Sequence, residues 1–385
     1  MNVEQNLIEK AQSIASSVAP RGGEIEAARR LPPDVSRLMG EAGFYRMFIC
    51  ERLGGLEVSP ATAARVYETL AEGDAACGWV SFIGATTGLA VSRLTDEAVR
   101  ELLVRPGALI SGVFAASGVA TKVDGGFRVT GQWQWGSGSP NADWIGGGCV
   151  LMEDGKPLTN SAGVPRNHMQ FFSAADVISL DTWHVSGLSG TGSTAFEVRD
   201  IFVPERHASG YLVKTPPDRP LFRFPGFSPL AQGVGAVGLG VARASITEFV
   251  RIAKEKRRSG SSTPLAERPH VQMEVAKAEA RLRSARAYFY ESITAAWAAA
   301  QTGEPIALSH NRDMRLATTH ALLESVAVVD AMYTLAGGTS VYESSPLQRQ
   351  FRDIHVATQH IMVSPGILET AGRLFLGLPT NTAGF

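Results

Sequence analysis

The sequence predicts an α+β protein in three parts: an N-terminal helical domain, a central β-barrel domain and a C-terminal four-helix bundle. Three observations carry this. Apolar residues recur at helical spacing up to about residue 104, the period drops to two between Pro106 and about Pro217, and long amphipathic runs return from Ser228 onward. The domains so predicted are 1–105, 106–218 and 219–385.

In the first domain, Ile14, Leu38 with Met39, Val66 through Leu70, Val80 to Leu89 and Val99 to Val104 mark helical faces. Breaks fall at Pro32-Pro33, at Gly54-Gly55 and before Pro60. Ser59-Pro60-Ala61 reads as an N-cap with proline at the first helical position, where a missing N–H costs nothing. In the second domain, Gly126-Phe127-Arg128-Val129-Thr130 and Ala195-Phe196-Glu197-Val198-Arg199 alternate like half-buried strands. Asp124-Gly125-Gly126 reads as a hairpin turn, because glycine adopts a positive φ cheaply. In the third, helical runs are expected at 231–258, 269–302 and 309–336, with a last one from about 351 to 376 interrupted at Pro365.

A chain of 385 residues with 44% hydrophobic and 19% charged residues and a net charge of -1 has no pull toward nucleic acid. No apolar run is expected to reach the roughly 18 residues that span a bilayer. The first residues, MNVEQNLIEKAQS, read as a charged amphipathic helix rather than a signal sequence, so a cytoplasmic protein without a membrane partner is expected. Cys50, Cys77 and Cys149 are far apart in apolar surroundings and read as reduced, buried, structural thiols. No HxxxH or HExxH occurs among the 8 histidines and no GxGxxG follows a predicted strand, so neither a metal nor a nicotinamide site is expected.

The densest motif is Gly131-Gln132-Trp133-Gln134-Trp135-Gly136-Ser137, followed by Asn141-Ala142-Asp143-Trp144. Two residues apart on a strand, Trp135 and Ser137 are expected to share a face, so that an indole plane and a hydroxyl address one flat ligand. A tryptophan-rich core strand ending in a serine turn is the alternative. The segment resembles the G-x-K-x-W-I-T-N strand of the acyl-CoA dehydrogenase superfamily, with Trp135 and Ser137 in register with its tryptophan and threonine, and Ala142 and Trp144 with the A-x-W that follows. Further similarities occur in order along the chain: Gly40 to Gly55, Ala71-Glu72-Gly73-Asp74 with Gly78-Trp79, Trp183 to Ser193 ending at Val203-Pro204, Gly337-Gly338, and Arg352-Asp353. The resemblance implies that superfamily's fold and a flavin, with Trp135 packing on the isoalloxazine and Ser137 bonding its central-ring nitrogen.

Departures from the dehydrogenases point to a different reaction. Their α-proton is removed by a carboxylate, yet the place of the common glutamate, nine residues after the arginine of the R-D pair, holds Ile361. The minority position, on the first bundle helix, aligns with Gly233 in Leu230-Ala231-Gln232-Gly233. The loop before the flavin strand is replaced as well, by Ala115-Ala116-Ser117-Gly118-Val119-Ala120. What stands beside the missing glutamate is His360, eight residues after Arg352, and this R-D-x-x-x-x-x-x-H resembles the group D two-component flavin monooxygenases. The resemblance implies that His360 and Ser137 are catalytic, the imidazole holding or donating a proton near neutral pH and the hydroxyl standing at the oxygen-reactive edge of the flavin. His355 lies about 140° around the helix and is expected to be structural or to contact a neighbouring subunit.

Gly190, Thr191, Gly192 and Ser193 are expected to cradle the flavin phosphate with backbone donors and two hydroxyls, or to form a tight hairpin, or both. Lys256-Arg257-Arg258-Ser259-Gly260 resembles the R-x-F-G element of the dehydrogenases, which implies that Arg258 reaches the flavin of a neighbouring subunit; a basic cluster serving the helix dipole is the alternative. Trp79, Phe82, Phe114 and His320 are expected to line the substrate pocket. The implied cofactor is FMN or FAD, supplied in reduced form by a separate flavin reductase. The implied reaction uses O2, through a flavin hydroperoxide, to oxygenate a small aromatic or heteroaromatic substrate of phenol, indole or thiophene type, in a homo-oligomer expected to be a tetramer. The competing readings are an acyl-CoA dehydrogenase with a displaced base and a catalytically silent binding subunit of the same fold.

Overall fold

The computed structural model describes residues 3–160, 163–257, 259–382 and 385. Six helices come first: α1 (Val3–Val18), α2 (Gly22–Ala28), α3 (Pro33–Ala42), α4 (Pro60–Gly73), α5 (Ala75–Val91) and α6 (Asp96–Leu102). Capping explains where several begin. Ser59 accepts from the Thr62 N–H ahead of Pro60, and Asp74 and Thr95 cap α5 and α6 in the same manner. Every residue of α5 except Leu89 is buried, the pattern of a helix enclosed on all sides.

Seven strands follow: β1 (Ile110–Val123), β2 (Gly126–Trp133), β3 (Trp144–Glu153), β4 (Lys156–Pro157), β5 (Asn167–Ser173), β6 (Ile178–Leu180) and β7 (Ala195–Pro204). They form one sheet in the order β4-β3-β1-β2-β7-β6, with β5 also paired to β3. The β1–β3 pair is parallel and the others are antiparallel. Gly125 turns the β1–β2 hairpin at φ +71°, as its sequence predicts. The sheet has its own core around Trp133, which is fully buried and stacked on Phe196 with centroids 5.1 Å apart. Glycine makes room for that indole: a Cβ at Gly118 would lie 2.3 Å from its ring.

The chain then returns to helix, with α7 (Pro220–Arg223), α8 (Ser228–Glu255), α9 (Pro269–Gln301), α10 (Leu308–Ala336), α11 (Pro346–Ala357) and α12 (Pro365–Phe375). Helix α8 packs on α10 and α11 within the bundle and also on α4 and α5 of the first region. One hydrophobic core therefore runs from Leu7 to Val363 through both helical regions, separate from the core of the sheet.

Two expectations are overturned. Helix α8 and the stretch Leu308–Val341 are both long and apolar enough to cross a membrane by length and composition, although no such run was expected. The apolar window of α8 is 72% buried, as in a core helix, and that of the second is 39% buried. The last helical run is also broken further than Pro365 alone requires. Helix α11 ends at Ala357, a single 3-10 turn spans Ile361–Val363, and His360 caps that turn instead of riding on a long helix.

Candidate active site

The tryptophan motif is split by the fold. Strand β2 ends at Trp133, and Trp135 sits at φ +58°, a left-handed conformation that bulky side chains avoid. Trp135 and Ser137 consequently do not share a strand face: the indole is 72% exposed and the hydroxyl residue only 5%. Gly136 and Gly138 donate their N–H groups to the Thr194 and Thr191 carbonyls, which ties this turn to the segment before β7. A large aromatic side chain held outward by strained backbone is a surface for something to lie on.

Ser137 is recessed beside it, at the head of a directed chain of hydroxyls. Thr191 Oγ1 donates to the Leu188 carbonyl at 2.7 Å, Ser193 Oγ lies 2.6 Å from Thr191 Oγ1, and Ser137 Oγ lies 2.6 Å from Ser193 Oγ. Each hydroxyl has one hydrogen, so Ser193 must donate to Thr191 and Ser137 to Ser193. From the other side Trp79 Nε1 donates to Ser137 Oγ at 3.1 Å. With its hydrogen committed, Ser137 can offer a ligand only its remaining lone pair, as an acceptor.

This arrangement bears on Gly190, Thr191, Gly192 and Ser193, expected to cradle a phosphate, to form a tight hairpin, or both. All four are buried, both hydroxyls are used inside the protein, and Gly190 packs against Ile25 of α2. Ser189–Thr191 form a 3-10 turn within the connection between β6 and β7 and not a tight hairpin. The turn is braced from the bundle by the Arg-Asp pair of α11: Leu188, itself at φ +52°, donates its N–H to Asp353 Oδ1 at 2.6 Å, and Arg352 donates to the Ser186 carbonyl at 2.7 Å. Burial, with Asp74 alongside, pushes the Asp353 carboxyl up to about 7.

His360 approaches the same point from the bundle. Its ring lies edge-on to Trp79, with centroids 5.7 Å apart, and Trp79 in turn leans on the fully buried Phe82 at 4.9 Å. Met362 N–H donates to His360 Nδ1 at 3.2 Å, so the neutral ring carries its hydrogen on Nε2. Burial, followed by the nearby charge of Arg315, pushes the imidazole down to about 4 and keeps it neutral at physiological pH. Neither position where a dehydrogenase keeps its base holds a carboxylate here. Ile361 is 71% exposed, and a Cβ at Gly233 would lie 2.3 Å from Phe82 Cγ, so the minority base position has no room for a side chain.

The fold thus brings together Trp79, Phe82, Ser137, Thr191, Ser193 and His360. Phe114 pairs edge-on with Phe227 at the start of α8, and His320 lies beside Tyr288 on the α9 side of α10. His355 bonds Asp330 at 3.0 Å, in keeping with a structural role, while Arg258 lies outside the described residues. Two residues of the bundle side were not singled out from sequence: Arg315, whose guanidinium reaches the Met362 carbonyl at 3.2 Å, and Gln232. Gln232 had one signal, a lone long polar side chain inside an apolar helical run, whereas Arg315 follows Asn311-Arg312-Asp313 and had none. An exposed indole next to a hydroxyl that can only accept suits a flat ring with an N–H at its centre, as in a reduced isoalloxazine.

Known proteins match this architecture. The acyl-CoA dehydrogenase N-terminal domain model matches residues 3–108, and the acyl-CoA dehydrogenase C-terminal domain model matches residues 232–365. The indole-3-acetate monooxygenase of Pseudomonas putida is 35% identical over 359 residues, covering 93% of this chain and 90% of that protein. The flavin-dependent monooxygenase oxygenase subunit HsaA of Mycobacterium tuberculosis is 25% identical over 374 residues, covering 94% and 92%. Its crystal structure superposes with a TM-score of 0.88 at 24% identity over 99% of this chain and 100% of that one, which shows the shared fold. XiaF from Streptomyces sp., in complex with FADH2 and glycerol, superposes with a TM-score of 0.86 at 27% identity, covering 98% of this chain and 96% of that one.

The chain belongs to the acyl-CoA dehydrogenase family. Within it, the protein is a flavin-dependent monooxygenase of the oxygenase-component type, which works on flavin reduced by a partner.

Proposed function

We propose that this chain inserts one atom of dioxygen into a small aromatic or heteroaromatic substrate of the indole type, the ring system named in its Pseudomonas putida relative. The observation that carries the reading is the convergence of Ser137 and His360 on the two sides of Trp79, with Ile361 and Gly233 where a dehydrogenase keeps its base. A bound reduced flavin, FMN or FAD, supplies the electrons and activates dioxygen. Trp135 would carry its ring system and Ser137 would accept from its central N–H. His360, neutral with its hydrogen on Nε2, would donate toward the forming oxygen centre and take up the proton that the substrate releases. Trp79 and Phe82 form a dry wall behind both.

The exposed apolar residues Leu308, Leu323, Val341 and Tyr342, all on or next to the half-covered α10, support a homo-oligomer, which the family resemblance makes a tetramer. We place the enzyme in the cytoplasm beside a reductase that releases reduced flavin. The decisive experiment supplies FMNH2 or FADH2, indole-3-acetate and 18O2, and follows product by mass spectrometry. One labelled oxygen in the product is expected. Hydrogen peroxide alone, or anaerobic bleaching of oxidised flavin by an acyl-CoA, would overturn the reading.

A further inference from the structure

Arg315 is 1% exposed and has no carboxylate within ion-pair distance among the described residues. Among the described residues its guanidinium hydrogen-bonds only Met362, through the carbonyl at 3.2 Å and the thioether sulfur at 3.3 Å, and its Nε has no partner there. The Phe385 ring lies 5.8 Å away and supplies no formal charge. Burial alone pulls this guanidinium down to about 10. A second buried group nearby is similarly short of partners. Gln232 of α8 is 2% exposed, its Oε1 has no hydrogen bond, and its Nε2 meets only the sulfur of Met314, the residue beside Arg315.

An unpaired buried charge costs several kcal/mol, and folds retain one chiefly where a counter-charge arrives from outside. A guanidinium is shaped for a carboxylate, which it can grip with two parallel hydrogen bonds. The position of Arg315 is also specific. Met362 links it to the catalytic turn, because the same residue donates its N–H to His360 Nδ1 and accepts from Arg315 through its carbonyl.

We propose that Arg315, assisted by Gln232, is the anion-binding end of the substrate site, and that the substrate is an aromatic acid whose carboxylate pairs with this guanidinium while its ring lies against Trp79 near His360 and Ser137. The proposal rests on the monooxygenase reading above and narrows it to acids over neutral aromatics. Arg315 then sets specificity, and the cost of burying it is offset when the acid binds.

The test compares indole-3-acetate with its uncharged near-isostere indole-3-acetamide, in the wild type and in Arg315→Met, Arg315→Lys and Gln232→Leu, each supplied with reduced flavin. Wild type is expected to favour the acid. Arg315→Met should lower kcat/KM for the acid at least about thirtyfold, as for loss of one partner of a buried charge pair, and change the amide by less than about threefold. Arg315→Lys should recover part of the loss, and Gln232→Leu should show a smaller loss of the same sign. An equal fall for acid and amide would mean that Arg315 only braces the His360 turn, and sinks the proposal. If Arg315→Met does not fold, the wild-type preference decides: equal use of the amide is an adverse result. If neither compound is oxygenated, the monooxygenase reading fails, and calorimetric binding of indole-3-acetate, present in wild type and lost in Arg315→Lys or Gln232→Leu, still judges the site.

Discussion

The two sides of the active site are built on opposite plans. On the sheet side, Ser137, Ser193, Thr191, the Leu188 peptide and Asp353 form a line in which every hydrogen has an acceptor. On the bundle side, Gln232 and Arg315 are buried with donors or acceptors to spare. A satisfied network rigidifies, because moving any member breaks bonds that water cannot replace. An unsatisfied one is costly until something fills it. The difference suits the proposed division, in which the sheet side holds a cofactor in one geometry and the bundle side receives a guest.

That contrast can be broken or sharpened by mutation. The largest expected effect is that of His360→Ala, which should lower oxygenated product by about a hundredfold to ten-thousandfold, the range for a positioned proton donor or acceptor, while consumption of dioxygen continues as hydrogen peroxide. Coupled turnover unchanged in this variant would remove His360 from the chemistry. Ser193→Ala should act differently, since it leaves Ser137 without an acceptor and Thr191 without a donor. A stability loss of about 1–3 kcal/mol is expected from these orphaned groups, measured by denaturant melts, together with a smaller fall in coupling than for His360→Ala. An unchanged melt would show that the hydroxyl chain is not the rigid element described above.

The smallest effect concerns the joint between the two sides. The Asp353 carboxyl is pushed up to about 7 and that of Asp74 to about 6, both by burial, against about 4 for an unfolded aspartate. Between these values the folded chain binds more protons than the unfolded one, so stability is greatest below about pH 4 from these groups and is lost as pH rises through about 7. The Tm should therefore fall by a few degrees from pH 5 to pH 8, and Asp353→Asn, which keeps an acceptor for the Leu188 N–H, should flatten part of that slope. A slope identical to wild type would place the titration elsewhere.

Much of this was readable before any coordinates. The order of helices, strands and helices, the Ser59 cap and the Gly125 turn follow from local rules, and local rules act within a few residues. His360 and Ser137 were singled out because they replace or match residues of a recognised pattern. The left-handed Trp135, the break that frees His360 from a long helix and the inward use of Thr191 and Ser193 were not readable. Each depends on a partner more than fifty residues away or on packing against another element: Ser193 and Trp79 meet Ser137 across the chain, and Asp353 reaches back to Leu188.

By itself, then, the amino-acid order determined which segments are helix or strand, and which residue types stand where a carboxylate base would be needed. Periodicity and capping are properties of neighbours, and an absent side chain is visible in the text of the chain. Only the tertiary structure decided which polar groups find partners. Hydrogen-bond satisfaction belongs to pairs brought together by α8, α10 and the sheet, so the spent hydroxyls of Thr191 and Ser193 and the unspent guanidinium of Arg315 could be told apart only after folding.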